Sequence, residues 1–511
     1  VTVVRSAVRT RPNRALTIIA GAIALVLLLP LVSLVLDAQQ AGWAEFSTVL
    51  FRARSLTLLV NTVVLVITVA PLAAILGTAA AWFTEKTQLP FRRVWTVVLV
   101  LPIAMPDFVV AYAWHSIAPT AQPLAASILV MTMSTYPLVY LPVAASLRRM
   151  NPATEESARS LGLGSFAIFW RVVLPVVRTA ILSGSLLVVL ILISEYGAFE
   201  ILRFQTFTTE VFTEFKFNPS GAGALSFPLV IIGLLVLGAE TVVSGPAATA
   251  TASIRRASRM ALGRKAIGVV GGLGALVLVA VAVPIGTLIY WLSSSQHTTL
   301  PAQATLLQAT GATVGYCAAG AALAVVLALP ISYLSARQSN GFARLIERST
   351  YVTLALPGVV IALSLAFFAV NFAYGIYETS TLLIIAYALL AFPLALSCMR
   401  TSMLQVPAVL PDVGRSLGRS APFVFVRVTL PLVLPGIIAG FCLVFLTSTT
   451  ELTATLVLAP LGIETLTTQF WAFQSETAYG AAAPYGLVVI AIAMIPGALL
   501  ALWFDRLGQR S

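Results

Sequence analysis

The clearest carboxylates inside the long apolar runs of this sequence are Asp107, Glu195 and Glu451. An acid in such a run is costly unless it faces a cavity or a partner, so these three are candidates to line a path for something polar. Tyr196 follows Glu195 directly, and Tyr112 lies just beyond Asp107, which adds phenolic oxygen to the set. The chemistry on offer is the passage or transient holding of a charged species. Hydrogen bonds that tie one helix to its neighbour, and gating ion pairs to Arg203 or Lys216, are the alternatives. Covalent catalysis finds no support. His115 and His297 are alone in loops, without partners at metal or catalytic spacing. Cys317, Cys398 and Cys442 lie in apolar runs with no CxxC pair and read as buried thiols. No Gly-x-x-x-x-Gly-Lys-Ser/Thr phosphate loop occurs, so the sequence offers no such means of binding ATP.

The elements that must carry these residues follow from composition. Of 511 residues, 59% are hydrophobic and 9% charged, with a mean hydropathy of +0.98, which leaves too little polar surface for a water-soluble fold. A formal charge of +12 would raise the question of nucleic acid in a soluble protein, but here the charges are confined to short stretches between apolar runs. Membrane lipid is the expected surrounding, and no nucleic-acid role follows. A span needs about 20 mostly apolar residues, and helices satisfy their own backbone. Twelve stretches qualify: 15–36, 56–83, 94–116, 124–147, 179–196, 224–243, 266–292, 305–334, 350–371, 379–399, 436–458 and 484–504. The first is long for a signal peptide and lacks a clear cleavage site, so it reads as an anchor. The fold class is therefore all-α and polytopic. With both termini in the cytoplasm, 26 of the 30 Lys and Arg residues fall in inside loops, leaving only Arg52, Arg54, Arg203 and Lys216 outside.

A basic linker at 251–265 divides the chain into an N-terminal half, 1–250, and a C-terminal half, 266–511. Since the linker and both termini share one side, the halves run in the same sense and predict a parallel repeat. Pro137 and Pro393, Gly162 and Gly418, Pro175 and Pro431, and Glu195 and Glu451 all stand 256 residues apart. The repeat carries a paired loop. The first copy runs Glu155-Glu156-Ser157-Ala158-Arg159-Ser160-Leu161-Gly162-Leu163-Gly164 and on to Leu174-Pro175; the second runs Pro411-Asp412-Val413-Gly414-Arg415-Ser416-Leu417-Gly418 and on to Leu430-Pro431. Each predicts a short helix, a Gly turn, and a second amphipathic helix that stops at Leu-Pro. One such element could be an interfacial anchor. Two at matched positions suit docking onto a two-fold partner. The outer stretches 200–223 and 459–483 also correspond, with Thr206, Thr208 and Thr209 matching Thr465, Thr467 and Thr468, and are expected to be ordered.

These loops resemble the signature of binding-protein-dependent ABC importer permeases, in which an acid and two alanines precede a Gly by three residues and a Leu-Pro follows. It matches Glu156-Ser157-Ala158, Gly162, Val172 and Leu174-Pro175, and more loosely Asp412-Val413-Gly414, Gly418, Val428 and Leu430-Pro431. Leu101-Pro102-Ile103-Ala104-Met105-Pro106, Leu356-Pro357-Gly358 and Glu451-Leu452-Thr453-Ala454 are similar to the fused ferric-iron permeases of a bacterial inner membrane. The resemblance implies a type I importer fold and a coupling role for Glu155, Glu156, Ala158, Gly162, Leu163, Asp412, Gly414 and Gly418. It implies a separate homodimeric ATPase that holds ATP and Mg, and a separate extracytoplasmic solute-binding protein. No cofactor is expected on this chain, and the chain itself is not expected to be an enzyme. Ferric iron, a hard cation, would find weak oxygen ligands at Glu195 and Glu451, with Asp107, Tyr112 and Tyr196 along the path. A thiamine permease, another small-solute permease and an ion-coupled secondary transporter are the alternatives.

Overall fold

The computed structural model describes residues 14–244, 259–294, 300–338, 341–407 and 409–508. Most of the 251–265 linker lies outside these residues, as does His297. In the N-terminal half the helices are α1 (Arg14–Leu27), α2 (Leu29–Leu50), α3 (Ala53–Lys86), α4 (Arg92–Val98), α5 (Asp107–Ile117) and α6 (Pro123–Arg149). They continue as α7 (Pro152–Ser160), α8 (Ser165–Ile168), α9 (Leu174–Ser194), α10 (Gly197–Ile201), α11 (Phe207–Phe217) and α12 (Pro219–Ser244). The C-terminal half repeats the series. It begins with α13 (Lys265–Val277), α14 (Val283–Ser294), α15 (Gln303–Arg337), α16 (Gly341–Thr350), α17 (Gly358–Phe372) and α18 (Ser380–Gln405). It ends with α19 (Val409–Ser416), α20 (Ala421–Val424), α21 (Leu430–Thr450), α22 (Thr453–Leu458), α23 (Leu466–Ser475) and α24 (Tyr479–Gly508).

Among the described residues nine helices are long and apolar enough to span a bilayer, and twelve if three bent pairs are each one span. The bent pairs fall in three of the expected spans. Stretch 15–36 is α1 and the start of α2, bent by 44°. Stretches 94–116 and 350–371 break by 90° and 106°. The cause of the last two is proline: it disfavours helical backbone in the residue before it, and Met105 and Leu356, which precede Pro106 and Pro357, are both extended. Two further spans end sooner than expected, because Glu195 and Glu451 are themselves extended and start new short helices.

The contacts divide the chain into two compact units that do not follow the sequence halves. Unit 1 comprises 1–40, 307–465 and 495–511; unit 2 comprises 41–306 and 466–494. In unit 1, Ala20, Ala24 and Leu27 of α1 join the core formed by Ala321, Ala324 and Ala328 of α15 and Phe392 and Ala395 of α18. In unit 2, α6 packs against both α3 and α9. A Cβ on Gly77 of α3 would come 2.7 Å from the Tyr136 carbonyl, and one on Gly184 would come 2.8 Å from the Leu138 carbonyl. Small residues let these backbones touch, as apolar helices in lipid require. In the same unit α14 packs on α5, and Trp291 Nε1 donates to Ser116 Oγ at 3.0 Å.

Candidate functional site

The paired loops form as the sequence leads one to expect up to their glycines. Asn151 caps α7 through its side chain, accepting from the Ala153 amide at 3.0 Å. At the other end Gly162 has φ +81°, its amide donates to the Arg159 carbonyl, and the Leu163 amide reaches back to the Ala158 carbonyl. Those two bonds define a Schellman cap, whose left-handed residue is Gly for want of a Cβ penalty. The second loop repeats it: Gly418 has φ +77°, its amide donates to Arg415, and the Arg419 amide donates to Gly414. The residue before each Gly is thrust outward, so that Leu161 is 82% and Leu417 is 74% exposed. Phe166, Trp170, Val413 and Phe423 are exposed around them. Each loop thus presents an apolar knob with a Leu at its tip. The signal for the tip was a Leu directly before a left-handed Gly.

Beyond the glycines the expectation fails. The second helix does not stop at Leu-Pro but runs into the following span, giving continuous candidate spans Phe166–Ser194 and Ala421–Thr450. Proline takes one hydrogen bond from a helix and its ring crowds the carbonyl four residues back. Here a π turn precedes it in both copies, at Phe169–Val173 and Phe425–Thr429. The wider turn absorbs the defect, and Pro175 and Pro431 sit at the first turn of α9 and α21.

The coupling residues named from the sequence separate into two kinds. Glu156 is exposed, while Glu155 and Ala158 turn inward. Glu155 forms an ion pair with Lys86 at the end of α3, both side chains nearly fully buried, and Arg159 stands 4.0 Å from the same carboxylate. Sequence reading missed Lys86, which is remote in the chain. Neighbouring Glu85 pairs with Arg92 and, at 2.6 Å, with Arg148.

The second copy lacks this clamp. The Trp82–Phe169 ring contact recurs as Tyr333–Phe425, so Lys86 corresponds to Arg337. Glu155 corresponds to Pro411, 256 residues on. Accordingly Arg337 has two buried guanidinium nitrogens, Nε and Nη2, without a hydrogen-bond partner among the described residues. Among the described residues Asp412 pairs only with Arg415 of its own exposed turn. Gly414, where the signature has Ala, admits Val424: a Cβ there would come within 2.8 Å of that side chain. Pro411→Glu is therefore expected to supply Arg337 with its missing acid and raise the thermal midpoint of the purified protein. An unchanged or lower midpoint would show that the position does not reach Arg337.

The path candidates are held by their own chain. The Glu195 carboxylate accepts from the Ala198 amide at 2.7 Å, opening α10, and Glu451 accepts from the Ala454 amide at 3.1 Å, opening α22. In unit 1 the Glu451 carboxylate also lies against Gly358, the first residue of α17, where a Cβ would come 2.8 Å from Oε1. A carboxylate between two helix starts is favourably placed for their dipoles. In unit 2, Asp107 is the first residue of α5. Tyr112 is buried, and its hydroxyl donates to the Tyr479 carbonyl at 2.6 Å, so that oxygen is already engaged. Tyr196 is buried against Phe212 and Trp471, with ring centroids 4.2 and 5.6 Å away. Among the described residues no group of three or more His, Cys, Asp or Glu side chains is arranged to hold a metal. The stretch 200–223 is built by α10, α11 and the start of α12; Thr206 and Thr209 form a capping box at α11. Arg52 and Arg54 are neutralised by Glu210, each at 2.7 Å, with Glu214 at 3.1 Å from Arg52.

Comparison with known proteins places this arrangement. Residues 73–245 and 328–511 both match the family described as binding-protein-dependent transport system inner membrane component. An Fe(3+)-transport system permease protein from Haemophilus influenzae is 35% identical over 501 residues, covering 96% of this chain and 98% of that protein. A sulfate transport system permease protein from Synechocystis is 28% identical over 42% of this chain and 84% of its own length. A molybdenum transport system permease protein from Escherichia coli is 29% identical over 37% of this chain and 90% of its own length.

Proposed function

Because the chain belongs to the family of binding-protein-dependent transport system inner membrane components, and is a multi-pass ABC importer permease rather than an enzyme, we propose that it forms the translocation path for ferric iron. The observation that carries this reading is coverage. The iron permease aligns with both halves, end to end, whereas the sulfate and molybdenum permeases each align with less than half of the chain. A homodimeric ATPase, holding ATP and Mg, would seat one subunit on each knob, at Leu161 and Leu417. The abundance of Lys and Arg in the loops on that side supports a cytoplasmic position for the knobs and both termini. A binding protein would deliver its solute to the other side.

In this reading the charge of Glu195 and Glu451 serves the cation as well as the helix starts, with Asp107 and Tyr196 along the path. The test is uptake of labelled ferric iron into vesicles holding the permease, its ATPase and its binding protein, with sulfate and molybdate as competitors. Iron is expected to accumulate regardless of either oxyanion. Changing both Glu195 and Glu451 to Gln keeps an acceptor for the Ala198 and Ala454 amides and removes the charge. That variant is expected to hydrolyse ATP but lose iron uptake. Normal uptake by the variant would leave the two residues as helix caps alone, and accumulation of sulfate or molybdate in place of iron would reassign the substrate.

A further inference from the structure

At the end of α6 remote from the Gly162 loop, about 40 Å away along 27 helical residues, unit 2 contains a cavity of about 420 Å³. Its walls are Ala, Pro and Leu side chains, interrupted by three groups that can donate hydrogen bonds: Trp114, His115 and Arg203. Trp114 Nε1 is buried and has no hydrogen-bond partner among the described residues. Among the described residues Arg203 has no acid within salt-bridge distance, although Arg52 and Arg54 of the same unit are both paired.

Two features show that the fold does not itself require these groups. Arg203 has φ +56°, and the bonds around it, Arg203 amide to Glu200 carbonyl and Phe204 amide to Phe199 carbonyl, make it the left-handed residue of a Schellman cap. Gly is preferred there, and a long side chain is kept at a cost. The internal repeat supplies the second argument. Aligning Pro106 with Pro357 puts Leu365 and Ala366 at the positions of Trp114 and His115, and the 256-residue offset puts Ala459 at that of Arg203. The C-terminal half has none of the three donors at these positions, and Ala459 is extended rather than left-handed.

Resting on the reading of this chain as a binding-protein-dependent permease, we propose that the cavity receives one carboxylate side chain, Asp or Glu, from the docked solute-binding protein. A guanidinium with a second cationic or neutral donor and an indole N–H in an apolar cup matches a single oxyanion in charge, and a carboxylate on a short stem in size. Among the described residues the three donors come together in one half only, so the site would also fix how the binding protein is oriented on the permease.

The measurement is the affinity of the cognate binding protein for the permease–ATPase complex in nanodiscs, over a range of salt concentrations. Arg203→Gln is expected to weaken docking roughly tenfold and flatten its salt dependence, with basal ATP hydrolysis unchanged. Arg203→Lys should retain most of the affinity, because charge rather than cap geometry is at issue, and Trp114→Phe should lose part of it. Docking of Arg203→Gln as tight as wild type would overturn the proposal. So would an affinity of the wild type that follows the anionic lipid content of the nanodisc, which would assign the cavity to a headgroup phosphate. If the wild type shows no response to any binding protein, both this inference and the reading beneath it fall; an indifferent Arg203→Gln sinks this one alone.

Discussion

Gly162→Val is expected to leave the protein folded and inserted while abolishing most of the ATP hydrolysis that depends on the complex. No atom lies within 4 Å of where a Cβ at Gly162 would stand, so the substitution meets no clash. Its whole effect acts through the backbone, which is held at φ +81°. A left-handed residue costs an ordinary L-amino acid roughly 1–2 kcal/mol, and more when β-branched. The loop escapes that cost by abandoning the cap, which swings Leu161 away from its outward position. A loss of this size corresponds to roughly a tenfold drop in stimulated hydrolysis and uptake. Gly162→Asn separates conformation from side-chain volume, because Asn tolerates the left-handed region, and it should retain most activity. Gly418→Val should act in the same direction but more weakly, since the first copy keeps more of the coupling signature. Equal activity of the Val and Asn variants, or greater sensitivity at Gly418, would contradict this account of the knobs.

The second large effect is expected at Glu155. Removing one member of a buried ion pair strands the other, at a cost of about 3–5 kcal/mol. Glu155→Ala should strand Lys86, which is 4% exposed, and release α7 from the end of α3. The expected results are a fall in the thermal midpoint, protease cleavage within 152–165, and loss of ATPase docking at this copy. Lys86→Met combined with Glu155→Leu removes both charges while keeping volume, and should recover much of the stability. A single Glu155→Ala variant as stable as wild type would show that the pair does not hold the loop. The second copy provides an internal comparison, since its α19 has Pro411 in place of the acid.

Much of this architecture was legible in the residues. Hydropathy located the spans, and the 256-residue register located both loops and both glycines, because a left-handed turn leaves a Gly that periodicity can find. The bends at Pro106 and Pro357 were missed, since an apolar run reads as continuous whether or not its helix is broken. Proline misled in the other direction at Pro175 and Pro431, where a π turn lets the helix pass. The Lys86–Glu155 pair and the donors at Arg203 and Trp114 depend on tertiary neighbours far apart in sequence, and no local pattern announces them. The division into contact units was equally hidden: α1 packs with the later half, a choice that span counting does not register.

The central claim is that this chain carries its solute only when a partner hydrolyses ATP. Its most direct test is uptake of labelled ferric iron into proteoliposomes containing the permease, the ATPase and the binding protein, measured with ATP, with a non-hydrolysable analogue, and with an imposed proton gradient. The account predicts accumulation with ATP and none in the other two conditions. Accumulation driven by the proton gradient in liposomes that lack the ATPase would contradict it.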